Sequence, residues 1–543
     1  QSGSDLSPCN RHFQALSNVI KDGIREAGGV PMEFPTHPIQ ETGKRPTAGL
    51  DRNLSYLSLV EVLYGYPIDG VILTTGCDKT TPAALMAAAT VNIPSIVLSG
   101  GPMLDGTYKG KKAGSGTIIW EARRLHAKGE ISYEEFMDMA AASAPSIGHC
   151  NTMGTASSMN SIAEALGMSL TGGAIIPAPY KERESISFKT GKRIVEMVHE
   201  DLTPSKIMTK KAFENAIYVA SAIGASSNCP PHLTAIARHM GIDFGIDNWE
   251  KLGHDIPLLV NCQPAGEHLM EGFFKAGGIP AIMQELMKNN KLHKDLMTVT
   301  GKTIAENLIE KIDIDENIIK SFKNPLVNNA GFIVMKSNFF NSAVMKTSVI
   351  SSEFRKRYLS NPTSLNLFEA NAVVFEGPED YHLRINDESL NIDENSILMI
   401  RGCGPVGYPG SAEVVNMQPP DKLLKQGINT LPTLGDGRQS GTSESPSILN
   451  VSPESAIGGS LLIVETGDKI KIDLNNSRID LMISSEEIEK RRKKVKIPKL
   501  ENQTPWQEIS RKMVGQLETG ACLETESLYL DITNTKGMPR HSH

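Results

Sequence analysis

Cysteine is scarce, seven in 543 residues, an odd number at long and irregular gaps. That does not make a disulfide framework, and no C-x-x-C pair or zinc-knuckle spacing occurs. Such usage suits a reducing compartment, so a cytoplasmic protein is expected. Long apolar runs are absent too. Nothing approaches the ~20 residues that cross a bilayer, and the greasiest stretch, 83–89, is short and Ala-rich. No basic and apolar leader opens the chain, so no secretory signal is expected. An excess of positive charge is also missing: 55 Lys and Arg against 62 Asp and Glu leave −7, which provides no field for nucleic acid or an anionic membrane. What remains, 40% hydrophobic and 22% charged, is the make-up of a globular protein with room for more than one domain.

Apolar residues at helical spacing, Phe13, Leu16, Val19, Ile20, Ile24 and Ala27, predict a first helix stopped by Gly28-Gly29. A second helical run over 53–63 leads into Asp69-Gly-Val-Ile-Leu-Thr-Thr-Gly76, a buried-strand signal. Thr80-Thr81-Pro82 then opens an Ala/Leu/Met helix, and a strand over 93–99 follows. This alternation continues to about residue 290 and predicts a parallel sheet wrapped by helices. Ligands in such folds sit at the C-terminal ends of strands, where Cys77, Asp78 and Lys79 fall. The Lys/Asn-rich stretch 290–365 reads as a helical bridge. Beyond it the texture turns to strands at 372–375, 396–400 and 461–464, and to a hairpin across Asn475-Asn476-Ser477. The run Lys490-Arg-Arg-Lys-Lys494 follows three glutamates and reads as a solvated mixed-charge helix. The expected fold is α/β: an N-terminal parallel-sheet α/β domain over 1–365 and a β-rich, barrel-like C-terminal domain over 366–543.

Cys9 in Ser7-Pro8-Cys9-Asn10, Cys77 in Gly76-Cys77-Asp78-Lys79, and Cys150 in Gly148-His149-Cys150-Asn151 each precede a predicted helix. Thiolates at helix N-termini have lowered pKa values and ligate metals or clusters. Read alone, the three also fit incidental buried thiols, as do Cys262, Cys403 and Cys522, while Cys229 fits either. Asp78 and Lys79 put an oxygen donor and an amine at one strand end, or form an ordinary capping pair. Glu41 and Glu413, taken singly, are loop acids. Gly402-Cys-Gly404-Pro-Val-Gly407 matches the dinucleotide fingerprint, but Pro409-Gly410 interrupts the helix start, so an anion or substrate loop fits better. Gly435-Asp-Gly-Arg-Gln-Ser-Gly-Thr442 presents Arg438, Ser440 and Thr442 on a tight turn, or is a plain β-turn.

Together these segments resemble the iron-sulfur dehydratase family that contains dihydroxy-acid dehydratase, phosphogluconate dehydratase and the sugar-acid (aldonate) dehydratases. The carriers are Ser7-Pro-Cys-Asn10, Gln40-Glu-Thr-Gly43, Gly76-Cys-Asp-Lys-Thr-Thr-Pro82, Ser99-Gly-Gly-Pro-Met103 and Gly148-His-Cys-Asn-Thr-Met-Gly154, then Phe375-Glu-Gly-Pro-Glu-Asp-Tyr-His382, Gly404-Pro-Val-Gly-Tyr-Pro-Gly-Ser-Ala-Glu413 and Asp436-Gly-Arg-Gln-Ser-Gly-Thr442. The Cys-Asp-Lys-Thr-Thr-Pro and Glu-Gly-Pro-Glu-Asp-Tyr-His forms look like the sugar-acid branch, e.g. arabinonate and xylonate dehydratases.

The resemblance implies a 2Fe-2S cluster on Cys9, Cys77 and Cys150, one ligand short of the usual four, which leaves one iron open as a Lewis acid. It implies a Mg²⁺ held by Glu41, Asp78 and Glu413, with Lys79 as a carboxylated lysine, and Ser440 as the base that abstracts the C2 proton. The implied reaction removes water from a sugar acid to give a 2-keto-3-deoxy acid, at a site between the two domains, in a homodimer or homotetramer. Family members usually carry a further segment ahead of the first cysteine, and Cys403 and Cys229 depart from the family pattern. Alternatives are a dihydroxy-acid dehydratase of branched-chain amino-acid synthesis, against which Tyr381 and His382 favour a polyol substrate, a non-catalytic iron-sulfur redox sensor, and a dinucleotide oxidoreductase.

Overall fold

The computed structural model describes residues 1–41, 43–525 and 529. Thr42 of the Gln40–Gly43 motif, and 526–528 and 530–543 of the expected C-terminal domain, lie outside the described residues.

Three early helices frame the first sheet: α1 (Phe13–Glu26), α2 (Ala48–Gly65) and α3 (Thr80–Val91). β1 (Val71–Thr75) and β2 (Ser95–Ser99) run parallel and in register, Val71 opposite Ser95 through Thr75 opposite Ser99. α3 is the crossover between them, and every one of its residues is buried. A helix apolar on all sides belongs inside, and the alanines of Ala83–Ala89 let its neighbours approach closely. α3 is thus a rigid platform for whatever stands at its N-terminus. A hairpin of β3 (Gly106–Tyr108) and β4 (Lys111–Ala113) follows. From there to residue 330 the described chain is helical or irregular. The expected alternation shortens to one parallel pair, because buried segments such as Lys210–Ala222 and Cys229–His239 are helices. Short apolar runs do not reveal their period.

The C-terminal half is built on one eight-stranded sheet. Its strands are β5 (Phe332–Met335), β6 (Ser342–Lys346), β7 (Leu367–Phe375), β8 (Ser396–Ile400), β9 (Thr433–Gly435), β10 (Ile448–Ser452), β11 (Lys469–Asp473) and β12 (Arg478–Leu481). Their order is β12-β11-β7-β8-β9-β10-β6-β5. The two edges meet. Lys336, directly after β5, donates its N–H to Ser477 O at 2.9 Å and accepts from Ile479 N at 3.0 Å, which pairs it with Arg478 of β12. The sheet therefore nearly closes into a barrel, which removes its open edges.

Two expectations are corrected here. The stretch 290–365 is not a helical bridge: it contains β5 and β6, so the sheet draws on residues well ahead of 366. Its Lys/Asn content masked two four- and five-residue buried runs. The strand expected at 461–464 is a 3-10 turn, Ser460–Ile463, whose Leu461 and Ile463 plug the barrel core. Elsewhere the pattern explains the layers. β11 and β12 alternate, with Ile470, Ile472, Ile479 and Leu481 inside and charged residues between them. The end of β7 from Ala372 on, and all of β8, bury both faces, as parallel strands do: Ala372, Val374, Ile397 and Met399 face the barrel core, and Val373, Phe375, Leu398 and Ile400 face a second core outside it. No described helix is long and apolar enough to cross a membrane.

Asn338 bolts the barrel seam, since its Nδ2 donates to Leu481 O and its Oδ1 accepts from Leu481 N, both at 2.9 Å. Asn338→Ala should cost about 1 kcal/mol in urea unfolding; an unchanged midpoint would show that the seam is held without it.

Candidate active site

The C-terminal end of β1 runs straight into Gly76-Cys77-Asp78-Lys79, and Lys79 is the N-cap of α3. Lys79 is the centre of the site. Its side chain is wholly buried, and its Nζ lies 2.6 Å from Asp78 Oδ2, 2.9 Å from Glu41 Oε2 and 3.7 Å from Glu413 Oε1. One oxygen from each of these three carboxylates lies within 4.8 Å of the others, a grouping able to hold a metal ion. Glu41 comes from the loop before α2, and Glu413 from the segment between β8 and β9. The two halves of the chain thus meet on one ammonium group.

Glycine makes that meeting close enough. A Cβ on Gly49 would stand 2.1 Å from Gly410 O, and one on Gly410 would stand 2.0 Å from Leu50 N. Gly410 also has φ +88°, a region that disfavours side chains. The start of α2 is thereby pressed against the loop that carries Glu413.

Arg438 sets Glu413 from behind. The two residues bridge in parallel, and the guanidinium folds back, Nη1 on Glu413 Oε1 at 2.7 Å and Nε on Ser411 O at 3.0 Å. Asn228 Nδ2 adds a second bond to the same oxygen at 2.6 Å. Thr47, the N-cap of α2, donates to Glu41 Oε1 at 3.3 Å. Burial, and after it the nearby Glu413, pushes the Glu41 carboxyl up to about 7. Burial works against ionised Asp78 as well, but Lys79 outweighs it and holds that carboxyl below its ordinary value. For Lys79, burial opposes the charge while Asp78 and Glu41 more than restore it, so the amine is held above its usual range.

The three predicted cysteines also come together. Cys9 sits in the 3-10 turn Pro8–Asn10 ahead of α1 and hydrogen-bonds Cys77. That bond holds the Cys9 thiol below its ordinary value and, with burial, holds Cys77 well above. Burial and then Cys9 push Cys150 up to about 12. Cys77 Sγ also reaches Asp78 Oδ1 at 3.5 Å, so the thiol group adjoins the carboxylate group. The Cys150 loop is pinned by a polar relay: Thr75 of β1 and Thr81 of α3 donate to Asn160 Oδ1 at 3.2 and 3.0 Å. Asn160 Nδ2 then reaches His149 Nε2 at 3.2 Å, and His149 Nδ1 donates to Cys150 O at 3.0 Å. Burial pushes His149 down to about 3, which keeps the ring neutral in that tautomer.

Ser440 lies on the loop after β9. Its Oγ is 2.9 Å from Thr442 Oγ1, and Thr442 Oγ1 accepts from Trp120 Nε1 at 3.2 Å. The next residue, Gly441, packs against Thr155, whose Oγ1 accepts from Asn228 Nδ2 at 3.0 Å. Close packing at Gly441 and the Thr155–Asn228–Glu413 hydrogen bonds therefore set the Ser440 loop against the residues that hold Glu413.

Other sequence signals resolve differently. The N–H groups of Val406 and Gly407 in the glycine-rich segment are taken by the Glu454 carboxylate, both at 2.9 Å, and those of Gly402 and Cys403 by Asp436. The anion of this loop is the protein's own, and no helix opens there for a dinucleotide. Tyr381 spends its hydroxyl on the Gln418 backbone, donating to O at 3.2 Å and accepting from N at 2.9 Å, so it carries no argument about substrate. Cys229 and Cys403 are fully buried. Sequence reasoning missed Asn228 and Asn160 as site-builders, because an amide has no signature until its partners are known.

The family model described as dihydroxy-acid/6-phosphogluconate dehydratase N-terminal matches residues 1–307, and its C-terminal counterpart matches 317–521. The chain belongs to this dehydratase family. It is 59% identical over 544 residues to the D-xylonate dehydratase of Caulobacter vibrioides, covering 100% of this chain and 91% of that one. It is 45% identical over 489 residues to the L-arabinonate dehydratase of Rhizobium leguminosarum bv. trifolii, covering 90% and 83%. Identity to the dihydroxy-acid dehydratase of Acetivibrio thermocellus is 35% over 532 residues, covering 97% and 93%. Similarity is thus greater to these two dehydratases of sugar acids than to that dihydroxy-acid dehydratase.

A proton held by Glu41 up to about pH 7 must leave before that carboxylate binds a cation. Mn²⁺ affinity of this dehydratase should therefore fall as pH drops below 7, by up to about tenfold per unit for one proton. Titration at pH 5.5 to 8 checks this, with Glu41→Gln expected to make the slope below pH 7 shallower; a flat profile in the unaltered protein contradicts it.

Proposed function

We propose that this chain is a hydro-lyase that removes water from a sugar acid (aldonate) to give a 2-keto-3-deoxy acid. The 59% identity over 544 residues to a D-xylonate dehydratase carries the reading, and the carboxylate and thiol groupings support it.

The donor chemistry fits the two cofactors expected from the family. Three carboxylate oxygens form a hard-oxygen set suited to Mg²⁺. With all three acids ionised, Lys79 as an ammonium and Arg438 alongside leave one negative charge in excess. Carboxylation of Lys79 requires its ammonium to lose a proton to solvent; the neutral Nζ then attacks the carbon of dissolved carbon dioxide, forming an N–C bond and losing a second proton to give a carbamate. With a divalent cation added the charge balance is unchanged, and a resident cation becomes a further oxygen donor. Glu41, Asp78, Glu413 and carboxylated Lys79 are the proposed Mg²⁺ ligands. Three crowded thiols, two of them with raised pKa values, need positive charge to ionise together. Cys9, Cys77 and Cys150 are the proposed ligands of a 2Fe-2S cluster. When bound, the magnesium ion and the iron left without a fourth protein thiolate supply Lewis-acid positions for the substrate's carboxylate and hydroxyls.

Ser440 is the proposed base at C2. An indole N–H only donates, so Trp120 occupies a lone pair of Thr442 Oγ1 and leaves the threonine proton free to point at Ser440 Oγ. The Thr442 backbone N–H also faces Ser440 Oγ, at 3.4 Å. Donors aimed at the serine oxygen favour its ionised form. Loss of the C2 proton and the C3 hydroxide then gives an enol that ketonises. In this reading the α/β part contributes the cluster ligands and most of the metal site, and the β-rich part contributes Glu413 and Ser440. The family resemblance also supports a cytoplasmic homodimer or homotetramer.

The test is an anaerobic assay with Mg²⁺ on pentonates, hexonates and 2,3-dihydroxyisovalerate, scoring 2-keto acid. Turnover of an aldonate is expected; turnover of 2,3-dihydroxyisovalerate alone overturns the reading. Ser440→Ala should lower kcat by about 10²-fold or more with cluster absorbance and Mn²⁺ binding intact, and retained activity removes its role as base.

A further inference from the structure

Asn228 is completely buried, and its amide is spent in one direction. Nδ2 donates to Glu413 Oε1 at 2.6 Å and to Thr155 Oγ1 at 3.0 Å. Oδ1 has no partner among the described residues. A flipped amide would set Oδ1 against a carboxylate oxygen, so Glu413 dictates the orientation. With Arg438 Nη1 at 2.7 Å, Glu413 Oε1, which is also the oxygen nearest Lys79 Nζ at 3.7 Å, accepts two bonds that fix the carboxylate, and no hydrogen bond is made to Oε2 among the described residues.

The loop that carries Asn228 is braced from the barrel. Lys346 of β6 is 2% exposed, and its Nζ donates to Gly224 O at 2.8 Å. Among the described residues no carboxylate lies within ion-pair distance of it. From Gly224 the chain turns through Ser226, whose N–H takes Ser158 Oγ at 2.9 Å and whose Oγ meets Thr155 Oγ1 at 2.8 Å and the Asn228 N–H at 3.2 Å. A buried ammonium with a neutral partner costs stability relative to an apolar side chain of similar length. The hydrogen bond that it makes here is to the loop that leads to Asn228.

We propose that Asn228, braced by Lys346 through the 224–228 loop, is a positioning residue that makes Glu413 a one-oxygen ligand of the divalent cation. This rests on the reading of Glu413 as a ligand given above.

The experiment is Mn²⁺ titration, followed by electron paramagnetic resonance, on freshly purified protein in bicarbonate buffer. The variants are Asn228→Ala, Asn228→Asp and Lys346→Met. Asn228→Ala should weaken Mn²⁺ binding by about 10- to 100-fold. Asn228→Asp keeps the shape but sets an oxygen against Glu413 Oε1, and should also bind more weakly. Lys346→Met should weaken binding in the same direction while its thermal stability is unchanged or raised, a combination that a merely structural lysine does not give. Cluster absorbance should persist in all three, which reports folding. Asn228→Ala and Asn228→Asp binding Mn²⁺ within about twofold of the parent would overturn the proposal. A parent protein that binds no Mn²⁺ would instead overturn the ligand reading beneath it.

Discussion

A lysine with no exposed surface, surrounded by three carboxylates, is the constraint on which the rest of this structure turns. Burying one charge without partners is prohibitive, and burying four demands that every partner arrive in place. Asp78 is next to Lys79 in sequence and Glu41 comes from the loop before α2, but Glu413 is supplied by the barrel half. Folding must therefore bring the α/β half and the barrel half together on this group. The paired glycines Gly49 and Gly410, the Arg438 fork and the Asn228 amide are the means.

The scaffold beneath is rigid for identifiable reasons. α3 is buried on every side, so its N-terminal residues have a fixed origin. β1 and β2 end together, and the Thr75, Thr81, Asn160 and His149 relay ties the Cys150 loop to both β1 and α3. On the other side, closure of the eight-stranded sheet through Lys336 holds the loops that carry Glu413 and Ser440. A site built between two such bodies suits chemistry on a small polyhydroxy acid, where several oxygens must be held at once.

Much of this was legible in the sequence. Local strand and helix signals placed Cys77-Asp78-Lys79 at a strand end, and the hairpin around Asn475-Asn476-Ser477 folds as read, with Ile470 opposite Leu481 and Asp473 opposite Arg478. The convergence of Cys9, Cys77 and Cys150, and of Glu41, Asp78 and Glu413, was implied by a family resemblance; spacing along the chain does not encode a distance between residues 41 and 413. What escaped was of two kinds. β5 and β6 are too short and too embedded in Lys/Asn-rich chain for periodicity to mark them. Asn228, Asn160 and Lys346 act through single long-range hydrogen bonds, which leave no local pattern. The Gly402–Gly407 segment misled in an instructive way, since its N–H groups do bind an anion, the carboxylate of Glu454 fifty residues on.

The chemistry of the metal site turns on the state of Lys79. Carbon-13 nuclear magnetic resonance of the protein in labelled bicarbonate, with and without Mn²⁺, reads it directly. The account predicts a carbamate carbon signal that is absent in Lys79→Arg and broadened by Mn²⁺. Magnesium-dependent turnover in a protein that shows no carbamate carbon would contradict it, and would leave Lys79 as the ammonium that the three carboxylates already neutralise.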